Sequence, residues 1–425
     1  MKRLLLIKPP ESSDFNFGAF SLGVLAAAVQ DLVEVTILDA TRMPQEEAAD
    51  IAWRARPDWL GITTMGVTSV SAVSTLLRQL RKHPHANRKT LLMAGGHGAT
   101  GLPQPLLEAG ADLVVLGEGE ITLRRILSTG FVPGMEGTAC LLDGRLCTGP
   151  GAPLVAPLDA LLPPARHLMP PPDDDVHLLE TSRGCPHACE FCETTRFFGR
   201  RWRYKSPERV VGEARHLLEE QGAWIIHICD DNFTASRRRV RSICELLSDG
   251  PLPPLIMVSA RADDLAADQN LLPAMASANM LRIAIGVETL DPHLAAAAGK
   301  PIAAETYRSV FDRMRELGMF SVASFIVGLP GEDASMRQRN LSLAVETAPD
   351  CARFVPFIPM PGVPMAGDQR QWAPDPEHVR EAYRLNREFL NAASVHKRLK
   401  IAAAAGGVRS ILARGVLERE HQTSR

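Results

Sequence analysis

A chain of 425 residues with 45% hydrophobic and 23% charged side chains has material for two or three domains with sizeable cores, which excludes disorder, collagen-like repeats and a small disulfide-stapled fold. The 47 basic and 49 acidic residues nearly cancel. No global field therefore draws the chain to bulk nucleic acid or an anionic membrane, and 5% aromatic content argues against a base-stacking RNA platform.

No apolar run reaches the ~18 residues a membrane span needs. The start, Met1 to Pro10, has four apolar residues before Lys8 and reads as a first buried strand of a cytoplasmic protein. Through residue 130, short apolar runs at 4–7, 33–39, 59–65, 90–96 and 113–117 read as strands, and 22–31, 44–54, 69–82 and 103–109 as helices. This alternation predicts a doubly wound parallel sheet covered on both faces. Glycines follow the fourth and fifth strands, at Gly95-Gly96-His97-Gly98 and Gly117-Glu118-Gly119-Glu120. Carboxyl ends of strands are where open α/β sheets bind ligands. Neither loop is a dinucleotide or Walker pattern, so a large ligand lying across several loops fits better.

Residues 131–175 form a linker carrying a hairpin around Asp143-Gly144. From 176 to 365 six further strands, at 177–181, 224–229, 255–259, 281–287, 320–328 and 354–358, alternate with helices at 206–221, 238–248, 265–276, 304–317 and 336–347. Six βα units predict a partial barrel. Residues 366–425 form a small helical C-terminal region.

Eight cysteines in a reducing compartment point to metal or redox chemistry wherever they cluster. Cys185, Cys189 and Cys192 fall within eight residues, directly after the first strand of the second series. Three thiolates can hold an iron–sulfur cubane with one iron left open; the alternative is a zinc knuckle completed by His187. The other cysteines are scattered. Cys140 and Cys147 flank the hairpin and could face each other, and Cys244 reads as core. The arginine-rich run 196–203 reads as a solvated loop or as a basic surface for an acidic substrate or reductant.

C-x-x-x-C-x-x-C with Phe191 before the last cysteine resembles the radical SAM enzymes, whose 4Fe-4S cluster binds S-adenosylmethionine (SAM) at its open iron. The resemblance implies Cys185, Cys189 and Cys192 as cluster ligands and Phe191, Asp231, Ser259, Arg261, Glu288 and Leu329 as SAM contacts. The first 130 residues resemble the cobalamin-binding domain that precedes the barrel in one branch of that superfamily. That implies cobalamin contacts at Pro9, Thr63, Thr64, Gly95, Gly96, His97, Gly117, Glu118 and Gly119. Two departures stand out: there is no D-x-H-x-x-G to donate a histidine to cobalt, and Gly98 occupies a place where the family commonly has histidine.

The resemblance implies a cobalamin-dependent radical SAM enzyme, first of all a methyltransferase acting on an unactivated carbon or phosphorus centre of a small molecule or peptide. A flavodoxin- or ferredoxin-type donor would supply electrons. The alternative keeps both cofactors but forms a ring or rearranges the substrate. A methylthiotransferase would need cysteines in the first domain, and residues 1–139 contain none. A non-catalytic cobalamin- or zinc-binding protein is the remaining reading. No residue is assigned to the catalytic step itself.

Overall fold

The computed structural model describes residues 2–11, 18–171, 175–367 and 372–423. Residues 172–174 of the expected linker and 368–371 and 424–425 of the expected C-terminal region lie outside these. The chain divides into two compact units, Met1–Asp175 with Met360–Gly362, and Val176–Pro359 with Val363–Arg425.

The first unit is a seven-stranded sheet of β1 (Arg3–Lys8), β2 (Glu34–Asp39), β3 (Trp59–Thr63), β4 (Leu91–Gly95), β5 (Leu113–Val115), β6 (Thr138–Leu142) and β7 (Arg145–Thr148), in the order β2-β1-β3-β4-β5-β6-β7. The first five strands are parallel. Period-two alternation sorts β1 to both faces. Leu4 and Leu6 pack with Leu22, Ala26, Leu123 and Ile126 of the helices Phe20–Val29 and Gly119–Thr129. Leu5 and Ile7 pack with Val73, Leu77 and Leu106 of the helices Val70–Lys82 and Pro103–Glu108. The sheet is thus wound on both sides, and its strand order reverses between β1 and β3. The crevice at such a switch point is the binding place of open α/β sheets.

Asp143 and Gly144 both take positive φ, as a two-residue hairpin requires. The hairpin does not stand apart in a linker: β6 pairs antiparallel with β5 and extends the sheet. Cys140 and Cys147 lie directly opposite one another in it.

The second unit holds β8 (Val176–Leu179), the short pair β9 (Ser182–Arg183) and β10 (Arg203–Tyr204), β11 (Ile225–Ile228), β12 (Leu255–Ala260), β13 (Arg282–Glu288), β14 (Phe320–Val327) and β15 (Cys351–Pro356). The six-stranded parallel sheet runs β15-β14-β13-β12-β11-β8. Ile226, Ile228, Ile256, Val258, Ile283 and Ile285 are buried against the outer helices. The alternate positions, His227, Met257, Ser259, Ala284, Gly286, Ser324 and Ile326, are only half-buried. A closed eight-stranded barrel fills its interior with layers of side chains; six strands leave this face open.

The expected helix over 265–276 is two helices, Ala262–Ala266 and Leu271–Ser277. Between them the Asp268 carboxylate accepts from the Asn270 amide at 3.1 Å, a local side-chain bond that competes with the helix. β15 begins at Cys351, so that cysteine sits at the amino end of its strand, far from the carboxyl-end loops. Helices Pro376–Asn391, Ala393–Ala404 and Gly407–Thr423 pack on the same core through Leu385, Phe389, Val395, Leu399 and Ala413. Asn386 bonds both backbone groups of Phe354 (2.8 and 2.9 Å), which covers part of the exposed edge of β15.

Candidate functional site

The three cysteines occupy the loop between β9 and the short helix Thr194–Phe197. Its base is closed by the β9–β10 pairing and by Lys205 N–H donating to the Thr181 carbonyl at 2.9 Å. Arg239 straddles that base: its Nε donates to the Lys205 carbonyl (2.9 Å) and its Nη2 to the Thr181 carbonyl (2.8 Å). Gly184, just before Cys185, has φ +81°, and a Cβ there would run into the Arg201 carbonyl. Only glycine fits that corner.

Two adjacent aspartates after β11 hold the loop from below. Asp230 is buried and accepts four hydrogen bonds, from the amides and hydroxyls of Thr181 and Ser182. Asp231 accepts from Gly184 N–H at 3.1 Å and Thr194 Oγ1 at 2.9 Å, so one carboxylate ties the residues that precede and follow the cysteines. Burial raises its pKa, and the bonds from Thr194 and Gly184 oppose the rise. Asp231 is therefore spent in part on holding the loop. Further along, the Glu190 amide donates to the Ala298 carbonyl, and its carbonyl accepts from Met365.

Burial pushes the Cys185 thiol up to about 11, with the neighbouring Cys192 and Cys189 adding to the rise, and burial also raises Cys192. Such thiols stay protonated until a metal centre displaces the protons. Arg261, one residue past β12 and 8% exposed, donates from Nη1 to Cys189 Sγ at 3.6 Å. Its Nε and Nη2 grip Asp263 at 3.0 and 2.8 Å. Glu288 ends β13 beyond a register shift, with φ +67°, and pairs with Lys300 Nζ at 3.0 Å. Positive φ on a glutamate is an uncommon, costly conformation of the kind that collects at binding sites. Ser259 is half-buried on the open face, Phe191 half-buried within the loop, and Leu329 buried in the turn after β14.

Several contributors carried little sequence signal. Lys300 reaches Glu288 from the turn after the helix Pro292–Ala297, and the Asp291-Pro292 start of that helix was its one legible mark. Gly299 packs beside Ala188 and Cys189. Tyr307 is wholly buried, its hydroxyl has no hydrogen-bond partner, and burial pushes the phenol up, with Glu288, Arg261, Asp263 and Cys189 also acting on it. Cys229, just past β11, is accessible, yet burial first and then Glu180 and Asp230 hold its thiol well above the ordinary value.

The carboxyl-end loops of the first unit are stitched by backbone. Thr64 N–H donates to Gly95 O (2.7 Å) and Gly98 N–H to Thr64 O (3.1 Å). A Cβ on Gly96 would sit 2.6 Å from the Thr64 carbonyl, and one on Gly98 would collide with the Gly66 carbonyl. Gly98 is thus fixed by loop packing. His97 opens the turn His97–Gly101, and burial drives its pKa down to about 4, so it is a neutral imidazole. Thr100 Oγ1 bridges Gly96 O and Gly117 N. Glu118 is buried with its carboxylate accepting from Val155 N–H at 2.6 Å, so it anchors the following segment. Thr63 ends β3 and Pro9 follows β1, on the two sides of the strand-order reversal. The Thr64 hydroxyl is buried without a partner, a polar group left over for a ligand.

The donor set fits an iron–sulfur cluster: three thiols in one short loop beside a guanidinium. Among the described residues, no three His, Cys, Asp or Glu side chains gather as around a single ion.

Comparison with known proteins agrees with this geometry. Residues 179–344 match the Radical SAM superfamily and residues 13–127 the B12 binding domain. An uncharacterised methyltransferase of Pyrococcus horikoshii is 28% identical over 85% of this chain and 82% of its own length. An anaerobic magnesium-protoporphyrin IX monomethyl ester cyclase of Rubrivivax gelatinosus is 26% identical over 81% of this chain, which spans 64% of that protein. The radical S-adenosylmethionine methyltransferase TsrM of Kitasatospora setae, solved with cobalamin and a [4Fe-4S] cluster, superposes with a TM-score of 0.71 at 19% identity, covering 86% of this chain and 77% of that one. No helix among the described residues is long and apolar enough to cross a membrane.

Proposed function

From a chain that is a cobalamin-dependent radical SAM enzyme, joining a B12-binding domain to a radical SAM domain, we propose a methyltransferase that modifies an unactivated carbon or phosphorus centre. The observation that carries the reading is the three-cysteine loop, closed and clamped at the carboxyl end of the first barrel strand, in a chain that also has the cobalamin domain. When bound, the cluster supplies the electron that cleaves SAM to a 5′-deoxyadenosyl radical, and cobalamin supplies the methyl group.

The chain's own residues hold and orient. Cys185, Cys189 and Cys192 take the cluster, and Asp231 and Arg239 keep their loop in shape. Ser259 and Glu288 line the open barrel face, where an ammonium and ribose hydroxyls need acceptors. Phe191 offers apolar surface, and Leu329, buried in the turn after β14, is the second apolar contact the reading assigns to SAM. In the first unit, Pro9, Thr63, Thr64, Gly95, Gly96, His97, Gly117 and Gly119 form the cobalamin crevice, and Glu118 secures it through Val155. An electron donor of the flavodoxin or ferredoxin type and a small-molecule or peptide substrate complete the reading. A ring-forming reaction is the second reading, favoured by the similarity to the Rubrivivax cyclase.

The test is anaerobic: reconstitute the cluster, add cobalamin, methyl-labelled SAM and a strong reductant, and follow products by mass spectrometry, with Cys189→Ala as control. Deoxyadenosine together with label on cobalamin is the expected outcome. Deoxyadenosine without labelled cobalamin moves the reading to the cyclase. Neither product from a cluster-loaded protein overturns both.

A further inference from the structure

The guanidinium of Arg261 is divided in an unusual way. Two of its nitrogens are committed to the Asp263 carboxylate, a bidentate grip two residues away on the same turn. Bidentate pairing fixes the plane of the group as well as its place. The third nitrogen is thereby aimed, and what it meets is the sulfur of Cys189 at 3.6 Å. The backbone is equally held. Arg261 N–H donates to Thr234 Oγ1, Thr234 bonds Asn232 and Asp264, and the Arg261 carbonyl accepts from Leu265. A guanidinium so fixed, 8% exposed, is poorly placed to swing out and follow a diffusible ligand. It is well placed to act on whatever Cys189 binds.

We infer that Arg261, aimed by Asp263, is a donor to the cluster through Cys189, and that it raises the cluster's reduction potential in addition to any contact with SAM. The inference rests on the cluster reading of the loop. One-electron reduction adds negative charge to the iron–sulfur core and its thiolates, and the electron comes from an external low-potential donor. A fixed positive charge with an N–H···S bond to one ligand stabilises the reduced form more than the oxidised one, because hydrogen bonds to cluster sulfurs and nearby charge are levers on potential. A contact made only to SAM would leave the potential of the SAM-free cluster untouched.

The experiment uses the full chain, anaerobically reconstituted, as wild type, Arg261→Gln, Arg261→Lys and Asp263→Asn. Iron and sulfide content are measured first, then the reduced fraction by electron paramagnetic resonance along a dithionite–viologen titration without SAM, and SAM affinity by equilibrium dialysis. Loss of one charge-assisted bond corresponds to roughly a tenfold fall in the reduced-to-oxidised ratio at fixed solution potential. That fall is expected for Arg261→Gln at unchanged iron content, with a smaller fall for Arg261→Lys and for Asp263→Asn, whose guanidinium is present but no longer aimed. If Arg261→Gln loads its cluster and titrates as wild type does, the inference is wrong, and a collapse of SAM affinity alone would return Arg261 to a pure SAM contact. If Arg261→Gln fails to fold or load, Asp263→Asn and Arg261→Lys decide by the same titration. A wild-type chain that takes up no iron overturns the cluster reading and this inference together, and is told apart by the metal content.

Discussion

The two parallel sheets end in different materials. In the first unit the loops beyond β3 and β4 are joined by amides, carbonyls and short hydroxyls, with Gly96 and Gly98 pressed against the Thr64–Gly66 backbone. In the second unit the corresponding ends carry long charged side chains that clamp across distance: Asp230, Asp231, Arg239, Arg261 and the Glu288–Lys300 pair. Backbone stitching gives a smooth floor around β3 to β5, suited to a broad macrocycle that makes contact over area, while the charged groups nearby are buried and paired, Lys8 with Asp39 and Glu118 with the Val155 amide. Charged clamps give direction and field, suited to a small polar ligand and a cluster whose charge changes. Each unit therefore has its own way to fail.

The largest effect is expected where a clamp loses one partner. Lys300→Met leaves Glu288 with an uncompensated charge in a site where the two side chains are 7% and 12% exposed. Breaking a buried pair in this way costs about 3–5 kcal/mol. Urea unfolding of the full chain measures it, and the double variant Lys300→Met with Glu288→Gln should recover most of the loss. If it does not, Lys300 acts through packing and the contrast between the two units weakens.

His97 sets a pH limit on the first unit. Its folded-state pKa of about 4 lies below the ordinary 6.5, so the unfolded chain binds the extra proton first. Stability is then full above about pH 6.5 and falls as the pH drops toward 4, by on the order of 2–3 kcal/mol. Unfolding curves of wild type and His97→Gln at pH 7 and pH 5 should diverge, the variant losing less. Equal slopes would mean that His97 is not held neutral by burial.

Gly98→Ala brings a methyl group against the Gly66 carbonyl and should cost about 1–3 kcal/mol as an overpacking change. Thermal unfolding reads it, and cobalamin binding should weaken in parallel. Full stability in this variant would show that the Thr64–Gly66 loop gives way easily. The smallest effect belongs to Thr64→Val. A hydroxyl without a partner contributes little to the ligand-free fold, so stability should change by less than about 1 kcal/mol. Cobalamin affinity, measured by its absorption spectrum, should fall several-fold. A stability loss without an affinity loss would make the hydroxyl a structural group.

Strands were the most legible part of the chain because they are buried on both faces or on one, and apolar runs such as Leu4–Ile7 and Ile283–Ile285 announce that burial directly. The helix Gly119–Thr129 was hidden because its first turn, Gly119-Glu120, reads as the tail of a glycine loop, and the Glu118 side chain accepts no capping hydrogen bond to mark the start. The break at Ala267–Asn270 was hidden for another reason: its two flanking helices keep apolar residues in one continuous pattern while Asp268 turns the backbone locally. In the site, the cysteine spacing is local and was plain. The side chains that hold those cysteines are not local. Arg261 meets Cys189 and Asp231 meets Gly184 across long stretches of chain, and no spacing rule in one sequence reports such pairs. The hairpin turn was legible at Asp143-Gly144, while its attachment to β5 depended on which edge was free.

The closed base of the cysteine loop has a consequence for how the protein acquires its cluster. With Thr181 and Lys205 bonded to each other and both held by Arg239, the ends of the loop are held together by the protein's own hydrogen bonds. The conformational entropy of closing that loop is lost during folding and not during cluster insertion. Insertion then reduces to exchanging thiol protons for iron at a receiver of fixed shape. The arginine-rich stretch ahead of β10 belongs to the same frame: the Arg201 carbonyl packs against Gly184 and Arg203 pairs with Arg183, so a change in its length would disturb the corner just before Cys185.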